Sequence, residues 1–172
     1  MSFNFFISSK NDNKFLDMKD FFNELTNIKT ARGYKIIDES PINSEMDIFL
    51  ICLLIGINHN LTEEINNYEK REFSKSYIQS YDNYSTIINA IFLSRCVLNE
   101  VNEFKNKEKV RAIIKKLIDP SDRKNELTPV ALNLMNSFAL GGYIKLLKEF
   151  NYKPPTDISV LMVKFFELVK VN

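Results

Sequence analysis

Few side chains in this 172-residue chain have the identity and spacing that chemistry requires. Its one histidine, His59, has no second histidine and no cysteine beside it, so the usual nitrogen and sulfur ligands of a zinc site cannot be gathered. Its two cysteines, Cys52 and Cys96, sit inside the apolar runs FLICLLIG and IFLSRCVLN, the setting of buried free thiols rather than of nucleophiles. The acidic pairs Asp38-Glu39 and Glu63-Glu64 could meet a hard cation. Neither pair has a third carboxylate at helical spacing, and both read more simply as helix-dipole partners or solvated charge. No GxxxxGK[ST], GxGxxG or GxSxG pattern occurs, and Gly141-Gly142 inside a helical run reads as a packing contact. These residues predict no enzyme, no cofactor and no metal.

A different chemistry, recognition of negative charge, is concentrated in one place. Between Lys105 and Lys124 stand eight Lys/Arg and three Asp/Glu, a net of +5, although the whole chain carries only +1. On a helix over 106–118, Val110, Ile113, Ile114 and Leu117 fall at i, i+3, i+4 and i+7 and make a buried stripe. Lys107, Arg111 and Lys115 then fall at i, i+4 and i+8 as a basic ridge, flanked by Lys109 and Lys116, with Arg123 and Lys124 in the following loop. Such a ridge can track phosphates, releasing condensed counterions at each contact. The competing reading is a lysine-rich solvated face.

Elements must position that ridge, and composition predicts helices. Four Gly and five Pro punctuate too little for an all-β protein, while fourteen Phe and seven Tyr argue against disorder. Spacings of three and four over 15–28 mark an amphipathic helix. A helix over 44–57, capped by Ser44, is apolar on nearly every face and should lie at the centre. Gly56 near its end fits a close helix crossing or a termination, which leaves His59 on a loop. Helices are further predicted over 62–80, over 84–104, from Thr128 with Pro129 at the first position, and from Thr156 to the C-terminal end. Gly141-Gly142 would kink or divide the Thr128 helix. Residues 3–7 (FNFFI), within an arm over 1–14, read as a short strand or an aromatic tuck. The expected fold is all-α: residues 1–172 as a single-domain irregular bundle of about six helices.

The free thiols and the absence of a signal-peptide core make a reducing cytoplasm the expected compartment. The longest apolar run, about ten residues, falls short of the ~20 that cross a bilayer, so no membrane is expected. Partners for the ridge would be DNA or an acidic protein. The acidic N-terminal portion, with a net of −5 over 1–104, adds the option of head-to-tail self-association.

The runs SEMDIFLICLLIGI (44–57) and FALGGYIKLLKEF (138–150) resemble features of small helical accessory proteins in bacterial antiphage and DNA-phosphorothioation operons. That resemblance covers about 27 residues and brings no catalytic residue with it. It implies a non-enzymatic subunit that works inside a larger DNA-targeting assembly, with nuclease or ATPase activity in other subunits. A stand-alone nucleic-acid-binding regulator is the alternative. The helical HEPN ribonucleases are excluded by position: they pair a histidine with an arginine about six residues upstream, and Leu54 stands in that region before His59.

Overall fold

The computed structural model describes residues 4–9, 18–22, 42, 45–72, 75–101, 105–119 and 127–170. Among these residues it is an all-α fold of six helices with one small two-stranded antiparallel sheet. In chain order these are β1 (Asn4–Ser9), α1 (Met18–Phe22), α2 (Glu45–His59), β2 (Tyr68–Glu72), α3 (Lys75–Val101), α4 (Lys107–Leu117), α5 (Pro129–Glu149) and α6 (Ile158–Val169). Ser44, Asp38 and Glu39 lie outside the described residues, as does most of the helix expected over 15–28.

The centre is the antiparallel pair α2 and α5, which cross where both carry glycine. An added Cβ at Gly56 would stand 1.9 Å from the Phe138 carbonyl oxygen, and one at Gly142 would stand 1.9 Å from the Cys52 carbonyl oxygen. The two backbones therefore touch directly, a contact only glycine allows. Around it pack Phe49, Cys52, Leu53, Met135, Phe138 and Ala139, all buried. Phe92 of α3 closes one side, its ring edge-on to Phe138 at 6.2 Å, and Phe21 of α1 closes another, edge-on to Tyr143 at 5.8 Å. Asn136 is the polar exception on α5: its amide is fully buried without a hydrogen-bond partner among the described residues.

Gly141 and Gly142 neither kink nor divide α5, which runs unbroken over 21 residues because α2 packs where their side chains would be. By length and composition α5 could cross a membrane, but two-thirds of that window is buried inside the fold, as in a core helix. Its start is as expected: Thr128 accepts from the Ala131 N–H (3.3 Å) and Pro129 occupies the first turn.

Helix ends are where expectation and structure part. α2 does not stop at Gly56 but continues to His59, which is thus the last helical residue and not part of a loop. A Schellman motif ends it: Asn60 takes the left-handed conformation (φ 54°), Leu61 N–H donates to Gly56 O (2.8 Å) and Asn60 N–H to Ile57 O (3.3 Å). The same pattern ends α5, with Asn151 left-handed and Tyr152 N–H donating to Leu147 O (2.8 Å). α6 starts one residue later than expected. Asp157, not Thr156, caps it, its carboxylate accepting from Ser159 N–H at 2.6 Å, a bond that lowers its pKa.

The helix expected over 62–80 is corrected most. Residues 65–67 form one 3-10 turn, and Tyr68–Glu72 is a strand pairing antiparallel with β1 (Asn4 with Glu72, Phe5 with Arg71, Phe6 with Lys70, Ser9 with Tyr68). The arm at the N-terminal end supplies the partner edge, a nonlocal contact that overrides local propensity. α3 begins at Lys75, nine residues before the expected Tyr84, and ends at Val101.

Candidate interaction surfaces

α4 carries the basic ridge and is fastened at both ends. Asn106 caps it by accepting from Lys109 N–H (3.1 Å). Its C-terminal carbonyls, orphaned as in any helix, are taken up by one residue: Thr128 donates its hydroxyl to Lys116 O (3.0 Å) and its N–H to Leu117 O (2.9 Å). That same hydroxyl caps α5, and a bridge between Ile118 and Leu127 closes the join. Ile113 and Leu117 are buried and Val110 and Ile114 half-buried, so the predicted stripe does face the core.

Lys107, Lys109, Arg111, Lys115 and Lys116 are all exposed, the first, third and fourth on one flank of the stripe and Lys109 and Lys116 on the other. Lys107, Arg111 and Lys115 form one line with no ion pair among the described residues. At about 1.5 Å of rise per residue their Cα atoms advance by roughly 6 Å each. Lys109 is partly diverted, its ammonium donating to Glu100 O at the end of α3 (3.2 Å). Arg123 and Lys124 lie outside the described residues.

Lys116 belongs as much to a cleft of about 330 Å³ beside the ridge, between α3, α4 and the start of α5. Asn60, Asn99 and Glu100 give it a polar wall, with Asn99 Nδ2 donating to Asn60 Oδ1 at 2.6 Å, and Phe138 and Cys96 form its apolar floor. Burial pushes the Cys96 thiol up to about 11, with Glu100 adding to the shift, so it is protonated and a poor nucleophile at neutral pH. Cys52, fully buried, is held higher still by desolvation. His59 and Glu64 are exposed, and Glu63 is tied to α5 through its backbone: Glu63 N–H donates to Ser137 O (3.1 Å) and Glu63 O accepts from the Ser137 hydroxyl. No group of three His, Cys, Asp or Glu among the described residues could hold a metal ion.

A feature that residue spacing did not signal is an open apolar groove of about 620 Å³ along α2. Leu54 and Ile57 form its floor, Ile91 and Leu98 of α3 one wall, and Val169 of α6 the other. Arg95 also lines it, donating to Asn58 O (3.2 Å), while Asn58 Nδ2 donates to Leu168 O (2.8 Å), so this polar chain links α3, α2 and α6. Only assembly of three helices makes the groove, so no single stretch of sequence announces it. The chain matches no family model, no curated protein and no solved structure.

Proposed function

We propose that this chain is a non-enzymatic helical subunit of a DNA-processing or defence assembly, meeting the phosphate backbone through α4. The observation that carries the reading is the exposed line Lys107, Arg111 and Lys115, free of ion pairs among the described residues on a helix fixed at both ends. Three exposed cations along one helix flank attract a polyanion, and backbone contacts of this kind position a protein without reading sequence. The resemblance of 44–57 and 138–150 to defence accessory proteins supports the assembly, and the groove along α2 offers a partner helix an apolar seat.

Binding to a short DNA duplex, measured across a salt series, tests it. Three phosphate contacts give a slope of log K against log salt of about −2.7. The variant Lys107→Glu/Arg111→Glu/Lys115→Glu should lose binding while keeping its helicity, since exposed substitutions alter stability by less than about 0.5 kcal/mol. Unchanged binding by that variant refutes the reading. Binding by the isolated chain at physiological salt would favour a stand-alone regulator over a subunit.

A further inference from the structure

The cleft that holds Lys116 is ringed by four walls, and each wall is fastened to the next. Lys109 Nζ donates to Glu100 O (3.2 Å) and ties α4 to α3. Thr128 ties α4 to the start of α5. The segment after α2 lies against α5, where an added Cβ at Gly141 would stand 2.5 Å from Leu61 O and Glu63 N–H donates to Ser137 O. The 2.6 Å bond from Asn99 Nδ2 to Asn60 Oδ1 joins that segment back to α3. A concavity closed in this way is formed before any ligand arrives, as small-molecule sites usually are.

Its chemistry changes from wall to wall. α3 contributes Glu100 and Asn99, α4 contributes Lys116, α5 contributes Val130 and Leu134, and the segment after α2 contributes Asn60 and Thr62. Neither the Glu100 carboxylate nor the Lys116 ammonium has an ion-pair partner among the described residues. Lys109, the other cation on this flank of α4, is engaged at the Glu100 carbonyl and does not line the cleft. Glu100 faces the floor closely enough to help hold the Cys96 thiol protonated. Because Asn60 Oδ1 is taken by Asn99, Asn60 keeps its amide N–H groups to donate and Asn99 keeps its amide oxygen to accept. Lys116 and Asn60 thus supply donors, Glu100 and Asn99 supply acceptors, and α5 supplies apolar contact.

A ligand that answers all three needs a carboxylate, an ammonium and an apolar side chain on one small frame. At ~30 Å³ for each water-sized group, a volume of about 330 Å³ has room for roughly eleven of them, the size of leucine or phenylalanine. A nucleotide fits less well. Phe138, the one ring in the lining, is 1% exposed and offers no face for a base to stack on, and Glu100 opposes a phosphate.

We infer that this cleft binds a free α-amino acid with an apolar side chain, its carboxylate on Lys116, its ammonium on Glu100 and its side chain against Val130 and Leu134. The cleft opens on the flank of α4 away from Lys107, Arg111 and Lys115, so the inference does not rest on polyanion binding.

Titration of the isotope-labelled full chain with L-leucine, followed by amide NMR shifts, tests it. Leucine should shift the amides of Asn60, Asn99 and Leu117 saturably and leave those of Leu54 and Ile57 in the α2 groove in place. Isocaproate, which is leucine without its ammonium, and isoamylamine, which is leucine without its carboxylate, should each bind about fivefold more weakly, the upper end for an exposed ion pair. Glu100→Gln should weaken leucine by the same factor and leave isocaproate unchanged. Lys116→Gln should weaken leucine and leave isoamylamine unchanged. Both positions are exposed, so the melting temperature stays near wild type. Absence of saturable shifts up to about 10 mM leucine, enough to fill nine-tenths of a site of about 1 mM affinity, overturns the inference. So does either analogue binding as tightly as leucine, or leucine binding that ignores Glu100→Gln.

Discussion

Replacing Gly142 by alanine tests whether the α2–α5 backbone contact organises the core. The new methyl would lie 1.9 Å from Cys52 O, 2.6 Å from Gly56 N and 2.9 Å from Cys52 C. All three neighbours are backbone atoms, so no rotamer change relieves the clash. The helices must separate by about 1 Å or more, and a radial gap of that size forfeits a quarter to a half of each dispersion contact it opens. The side chains that lose contact are the best packed in the molecule, among them Phe49, Leu53, Met135 and Phe138. Overpacking of this kind costs about 1–3 kcal/mol, and rigid neighbours place it at the upper end. Alanine returns up to about 1 kcal/mol of helix propensity. The net expectation is a loss of about 2 kcal/mol, read as a lower urea midpoint at unchanged slope in unfolding followed by circular dichroism. Asn133→Ala, on the exposed side of α5, is the control and should be neutral or slightly stabilising. Adding Gly56→Ala to Gly142→Ala should cost less than the two losses summed, because helices already held apart leave room for the second methyl. A Gly142→Ala protein as stable as wild type would refute the close-contact argument.

Thr128→Ala removes the α5 cap and the hydroxyl bond to Lys116 O together, and should lower unfolding free energy by about 1–2 kcal/mol, with amide exchange rising first in the last turn of α4. The thiols give a pH dependence. Burial raises Cys52 and Cys96 above 9.0, so as pH passes that value the unfolded chain releases protons that the folded chain retains. Stability therefore falls with rising pH, by up to about 1.4 kcal/mol per pH unit per thiol, until folded Cys96 itself ionises near 11. Cys52→Ala should halve the thiol contribution, and an unchanged pH slope would show that burial does not hold that thiol.

What the sequence revealed depended on how local each determinant is. The α4 stripe and ridge follow from spacing within a dozen residues, and Thr128-Pro129 signals a helix start from adjacent residues alone, so both were legible. The strand at Tyr68–Glu72 was not, because its hydrogen-bonding partner lies some sixty residues away at Asn4–Ser9. Gly56 was ambiguous for a related reason: a crossing and a termination look alike until the opposing glycine is known to be Gly142. Asn60 decided the question by ending α2 four residues later in a left-handed turn. The groove along α2 and the open stripe of α6 at Val160, Val163 and Phe166 escaped because their apolar residues are ordinary core types. Only the packed helices show which apolar side chains remain uncovered.

The join at Thr128 bears on how tightly the ridge can bind. With its last carbonyls fixed to the start of α5 and its first turn capped by Asn106, α4 would meet the proposed polyanion already folded. Binding then requires no backbone ordering. What remains to be frozen is the rotamer freedom of Lys107, Arg111 and Lys115, about 0.5–1.5 kcal/mol for each side chain immobilised. A flexible basic tail of equal charge would have to order its backbone as well, so the same three cations attract more effectively here than in a tail, and their spacing is set before contact.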